Sequence, residues 1–147
     1  MSFREKTAWI CLISTVAVYV PYFGHVYRLF ARGELYVGTS LVAFVGAVVA
    51  QVVLAAAGAI AVAIGSKRER RDERDAAIDL KAYHFAYVIL ITACGLAAGG
   101  IFARALTHAP SARGLEPVAI AQLLLLCFVV AEAARYLTQA VSYRRGV

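Results

Sequence analysis

Charge is what this sequence is short of. Charged residues make up 16% of its 147 positions, against about a quarter in a typical soluble domain. Long stretches carry none at all, so no polar coat is available along those segments. That excludes an ordinary soluble fold of this size. Cysteine is scarce too: Cys11, Cys94 and Cys127 all lie inside apolar runs. Three buried thiols without metal-ligand spacing make neither a disulfide framework nor a zinc site. They read as small hydrophobes facing neighbouring helices. Also missing are a Ser-His-Asp order, a Gly-rich phosphate loop and a paired-carboxylate motif, so nothing marks an enzyme. No cofactor signature is present. His25 and His108 fall near one end and His84 near the other. No two histidines are placed to clamp haems across a bilayer.

What is present is apolar. Hydrophobic residues reach 62%, and mean hydropathy is +0.73. Four runs stand out, at about 8–30, 36–65, 83–106 and 117–137. Each meets the roughly 20 residues that cross ~30 Å of hydrocarbon at ~1.5 Å per residue. Backbone groups in lipid must be satisfied within the segment, so the runs are helices. The first is too long, and too aromatic at its far end, for a cleaved signal peptide. The fold expected is all-α: a single transmembrane four-helix bundle built of two hairpins. Pro21 should kink the first helix. Gly33 marks the turn of the first hairpin, and Pro110, Gly114 and Pro117 break helix in the second.

Basic residues set the orientation. Arg4, Lys6, Lys67, Arg68, Arg70, Arg71, Arg74, Lys81, Arg144 and Arg145 fall on one side of such a layout. Arg28, Arg32, Arg104 and Arg113 fall on the other. The positive-inside rule then puts both termini and the 66–82 loop in the cytoplasm. Trp9, Tyr83 and Tyr143 belong to the inner interface, and Tyr22, Tyr27 and Tyr36 to an outer aromatic belt. The net charge of +6 has its cause in this topology and does not point to direct nucleic-acid binding.

Small residues mark packing faces. Gly46, Ala50, Ala57, Ala61 and Gly65 recur in the second run, and Gly95 and Gly99 form a GxxxG in the third. Such faces let backbones approach closely, inside the bundle or between copies in a homo-oligomer. Three polar residues stand out within the apolar runs. Gln51 lies mid-span, and Glu132 lies in the inner third of the fourth span with Arg135 one turn on. Arg135 is the expected partner of Glu132, and Tyr87 and His84 are further candidates. A carboxylate at that depth is either a clasp that fixes helix rotation or a protonatable, ligand-binding group.

The charged island SKRERRDERDAAIDLKAYHF spans 66–85. Its basic half suits anionic headgroups, each lysine or arginine there gaining about 1 kcal/mol. The acidic half gains nothing from lipid. Asp72 reads as an N-cap, with the third helix starting beside it and running on into the bilayer. The residues Asp72-Glu73-Arg74-Asp75, Ile78 and Lys81-Ala82, with a Tyr143-Arg144-Arg145-Gly146 tail, resemble a family of small bacterial and archaeal four-helix membrane proteins. That family shares the pattern DERDxxIxxKA between two helical hairpins and has no assigned activity. The likeness covers 68–146. It implies partnership with a small helix-turn-helix regulator, docked through Asp72, Glu73, Arg74, Asp75, Ile78 and Lys81. The leading expectation is a non-enzymatic sensory or regulatory membrane protein. The alternatives are a small dimeric proton-coupled transporter of lipophilic or cationic solutes using Glu132, and an accessory subunit of a membrane complex.

Overall fold

The computed structural model describes residues 3–34, 36–65, 73–107 and 117–145. They form four helices: α1 (Phe3–Arg32), α2 (Val37–Gly65), α3 (Glu73–Thr107) and α4 (Pro117–Arg145). No strand occurs among the described residues. All four are long and apolar enough to cross a membrane, which makes this a multi-pass membrane protein by length and composition.

Helix boundaries follow hydrogen bonding, not hydropathy alone. α1 begins at Phe3, before the apolar run starts, and Thr7 Oγ1 donates to the Phe3 carbonyl at 3.0 Å. It continues through Pro21 to Arg32. There the amide of Gly33 bonds the Phe30 carbonyl at 3.1 Å, and that of Glu34 bonds Leu29 at 2.9 Å. This pair of bonds is a Schellman cap, and it needs a left-handed residue. Gly33 supplies it with φ of +69°, as its place in the sequence implies. α4 likewise runs past Leu137 to Arg145, because its last turns still have a partner. Ala140 is fully buried and Ser142 is buried. α3 begins at Glu73, so residues 73–82 of the cytoplasmic segment form its first turns, in keeping with a helix start beside Asp72.

The broad contacts are α1 with α2, α1 with α4, and α3 with α4. α1 and α4 therefore sit inside, each with two packed neighbours, and α2 and α3 flank them. Cross-links fix the directions. Asp79 meets Gln139, and one turn further along α3 Tyr83 meets Arg135, one turn earlier on α4. α3 and α4 are thus antiparallel. Arg4 meets Asp75, so the starts of α1 and α3 lie at the same end as the end of α4.

Burial is concentrated at that end. Ala8, Ile78, Ala82, Ala131 and Ala140 are all buried there, with Glu5 and Ser142 among them. A second cluster gathers around Tyr22, Val26 and Ala47, with Phe23, Phe44 and Leu125 packed on it. Tyr22 turns into this core and donates from its hydroxyl to Gln122 Oε1 at 2.8 Å. The outer-belt expectation for Tyr22 is corrected on that ground, since a buried phenol with a cross-helix acceptor has no need of a wet interface. Tyr27 and Tyr36 are exposed. α2 and α3 present broad apolar faces outward, and none of the most apolar stretch of α3 is buried.

The close approach between helices also falls elsewhere than expected. A Cβ at Gly46, Gly95 or Gly99 would meet nothing within 4 Å, so these residues do not pack against the chain's own helices. A Cβ at Gly58 would collide with Cγ2 of Ile10, which makes Gly58 the tight point between α1 and α2. Ile10 is β-branched and cannot swing that methyl away freely. We therefore expect Gly58→Ala to lower the unfolding midpoint in detergent, by roughly 1–3 kcal/mol of overpacking. Ile10→Ala in the same chain should recover much of the loss. Gly95→Ala should be neutral or slightly stabilising. An unchanged midpoint for Gly58→Ala would show that the α1–α2 contact is loose.

Candidate functional site

Polar groups inside this chain meet in rungs, each joining α1 or α3 to a neighbour. The lowest-polarity rung is between α1 and α2. Gln51 Nε2 donates to Ser14 Oγ at 3.3 Å and to Thr15 Oγ1 at 3.0 Å. Both hydroxyls donate in turn to the Cys11 carbonyl, at 3.0 and 2.8 Å. Ser14 and Thr15 are both buried. Sequence reading found Gln51 and missed its partners. A Ser-Thr pair inside an apolar run was the available signal, but such hydroxyls satisfy themselves on their own helix and so attract little notice.

The second rung lies between α3 and α4. Arg135 Nη2 meets Glu132 Oε2 at 2.7 Å, as the i, i+3 spacing implies. Arg135 Nη1 donates to the Tyr83 hydroxyl at 2.7 Å. Its guanidinium also lies 5.0 Å from the Tyr83 ring centroid and 4.5 Å from that of Tyr136. Tyr83 therefore takes the place considered for Tyr87, which is 62% exposed. The two tyrosines are one turn apart and both are exposed, Tyr83 at 55%; the register of α3 against α4 sets Tyr83 level with Arg135. His84 is exposed as well. Gln51, Tyr87 and Glu132 do not enclose a common space. They belong to separate contacts.

The third rung is the charged island's own. Arg4 Nε meets Asp75 Oδ2 at 3.1 Å, and both side chains are mostly buried. Gln139 Nε2 donates to Asp79 Oδ1 at 3.1 Å. Tyr143 stands beside Arg4 and within the field of both aspartates. Ile78, between the aspartates, is 3% exposed. Of the six residues read as a docking set, two are turned inward: Asp75 and Ile78 fasten α3 to the rest of the chain. Glu73, Arg74 and Lys81 face outward. Asp72 lies outside the described residues. Sequence reading could not separate the two groups, because the dividing line is which face of α3 meets α1 and α4.

Elsewhere, Cys127 on α4 is buried and lies close enough to Cys94 on α3 to interact with it, so these two thiols do face a neighbouring helix. His25 is exposed, and His108 lies outside the described residues.

No family model, no curated protein and no solved structure matches this chain. The geometry therefore carries the functional argument by itself.

The Glu132–Arg135 rung has an asymmetry that can be measured. Removing the arginine strands a partly buried carboxylate. Neutralising the glutamate leaves Arg135 an amide oxygen and the Tyr83 hydroxyl. Arg135→Met should thus cost roughly 1–3 kcal/mol, and Glu132→Gln clearly less, in denaturant titrations of the detergent-solubilised protein. The reverse ranking would show that Glu132 draws its stability from another group.

Proposed function

We propose that this is a non-enzymatic regulatory protein of a bacterial or archaeal cytoplasmic membrane, which captures a soluble partner on the outward face of the α3 start. The observation that carries the reading is the combination of brace and exposure there. α3 has 35 residues, or about 52 Å of helix, well beyond the ~30 Å of hydrocarbon. Its first turns therefore stand clear of the apolar span. Arg4, Gln139 and the buried Ile78 hold them in place.

The opposite face is exposed. Glu73, Ala77, Leu80 and His84 fall at i, i+4, i+7 and i+11 on one stripe, and all are exposed. Arg74 and Lys81 flank it. Leu80 is 73% exposed in the midst of charge. An apolar centre with a polar rim is the general layout of a protein interface. A braced helix loses little freedom on binding, which favours affinity. Asp75 and Ile78 serve this surface by holding it and do not touch the partner. A small helix-turn-helix regulator is the partner that the DERD resemblance implies.

The orientation supports this. The starts of α1 and α3 and the end of α4 share one end, and Arg4, Lys6, Arg74, Lys81, Arg144 and Arg145 lie on those segments, so the positive-inside rule puts both termini and the docking face in the cytoplasm. α1 is the coupling element. It carries Arg4 at the brace and Ser14 and Thr15 at the Gln51 rung. A lipid or lipophilic molecule that shifts α1 along α4 would alter the brace. The outward small-residue faces at Gly46, Gly95 and Gly99 support self-association. Glu132 is engaged by Arg135 at 2.7 Å, which favours a structural clasp over a proton-coupling carboxylate.

Two experiments test this. A photoreactive residue at Ala77 should crosslink a soluble protein in intact cells. Leu80→Ala with Glu73→Ala should abolish the adduct, while the folded chain is retained. The same adduct with the double variant would end the docking reading. For orientation, a membrane-impermeant maleimide should label a cysteine placed at Glu34 in a cysteine-free chain, and fail to label one at Lys6 until the membrane is opened. Labelling of both, or of Lys6 alone, would reverse the proposed topology.

A further inference from the structure

The crowded end of the molecule contains a crevice that neither the docking face nor the intramembrane rungs account for. It has a volume of 310 Å³ and lies among α1, α3 and α4. That is near the lower end of the roughly 300–1,000 Å³ of small-molecule sites. Its lining joins a few polar groups, Arg4, Asp79 and Gln139, to two aromatic rings, Tyr136 and Tyr143, and to apolar surface from Ala8 and Cys11. Small-molecule sites have this mixture: largely apolar walls and a small number of orienting polar groups.

The charges indicate which sign of ligand fits. Arg4 is held by Asp75 at 3.1 Å. Asp79 adds a second carboxylate on the next turn of the same helix, with the neutral amide of Gln139 donating to it. Arg4, Asp75 and Asp79 together carry one net negative charge. An anion entering here would face two carboxylates around an arginine already engaged. A cation meets a carboxylate able to accept several hydrogen bonds and the ring of Tyr143, which attracts organic cations, while the Tyr136 ring already carries the Arg135 guanidinium. The position favours an amphiphile. The crevice lies where the apolar runs of α1 and α4 give way to charge, so a ligand reaches it from the headgroup region.

We propose that this crevice binds an amphiphilic organic ammonium. The ammonium group hydrogen-bonds to Asp79, and the adjoining apolar body lies against Tyr136, Ala8 and Cys11. Two sources share that chemistry: the headgroup of phosphatidylethanolamine and a free arylalkylamine. Because Asp79 sits one turn from Asp75, an occupant also touches the brace that holds the start of α3. Binding itself does not depend on the docking reading, and the experiment below measures binding alone.

The test uses the full chain in dodecyl maltoside micelles, titrated calorimetrically with 2-phenylethylamine and with its neutral counterpart 2-phenylethanol. The amine should bind saturably and the alcohol should not. Asp79→Asn should weaken the amine by roughly tenfold or more. Thr7→Phe narrows the lining without changing any charge, and it should weaken the amine to a similar degree while leaving the thermal midpoint near that of the parent chain. Short-chain phosphatidylethanolamine and short-chain phosphatidylglycerol are then added as competitors. Displacement by the first alone supports the site and assigns it to the lipid headgroup. Displacement by neither, with amine binding intact, supports it and assigns it to a free amine. Equal binding of amine and alcohol, no saturable binding, or amine affinity unchanged in both variants would overturn the proposal.

Discussion

The ion pair between Arg4 and Asp75 is the contact on which the polar end of this molecule depends. α1 and α3 share no broad packed face, so this 3.1 Å link is what ties their starts together. Around it the buried alanines of α3 and α4 close, and Gln139 reaches Asp79. Ala82 and Ala140, both with no exposed surface, thus lie at the charged end of the described residues. That is physically reasonable. Lipid supplies no hydrophobic drive between helices, while water at the headgroup level does. The apolar middles of α2 and α3 stay exposed toward lipid, and the end facing water is closed.

Within the span, association relies on polar rungs and close fit. Tyr22 with Gln122, Gln51 with Ser14 and Thr15, and Arg135 with Glu132 and Tyr83 follow one another along the helices. Each such link in a membrane contributes about 0.6–2 kcal/mol, so several are needed to define one arrangement. α1 and α4 each take part in two of the three. This explains why these two helices are the inner pair. Tyr22 and Gln122 join them to each other, and their remaining polar groups reach α2 and α3, which otherwise show lipid long stretches of valine, leucine and isoleucine.

Much of the architecture was legible because lipid imposes simple rules. Four apolar runs became four helices, and Gly33 became the left-handed cap. Glu132 and Arg135 met as their spacing implies. What misled the reading was orientation about each helix axis. Gly95 and Gly99 form a recognisable packing pattern, yet they face away from the chain's other helices. Gly58, in no pattern at all, is where α1 and α2 touch most closely. Tyr83 and Tyr87 differ by one turn, and only one of them reaches Arg135. Hydropathy in a nearly uniform apolar helix has no strong face, so it cannot indicate rotation.

By itself the sequence determined that the chain is helical, that it has four spans and where its charges lie, because backbone satisfaction in hydrocarbon and the cost of buried charge allow little else. Tertiary structure alone decided how the DERD segment divides. Asp75 and Ile78 turn inward to fasten the helix, while Glu73, Arg74 and Lys81 remain outside. That division depends on the register of α3 against α4 and on the arrival of Arg4 from the far end of the chain. Both are long-range contacts, and neither leaves a local mark in the residues that share them.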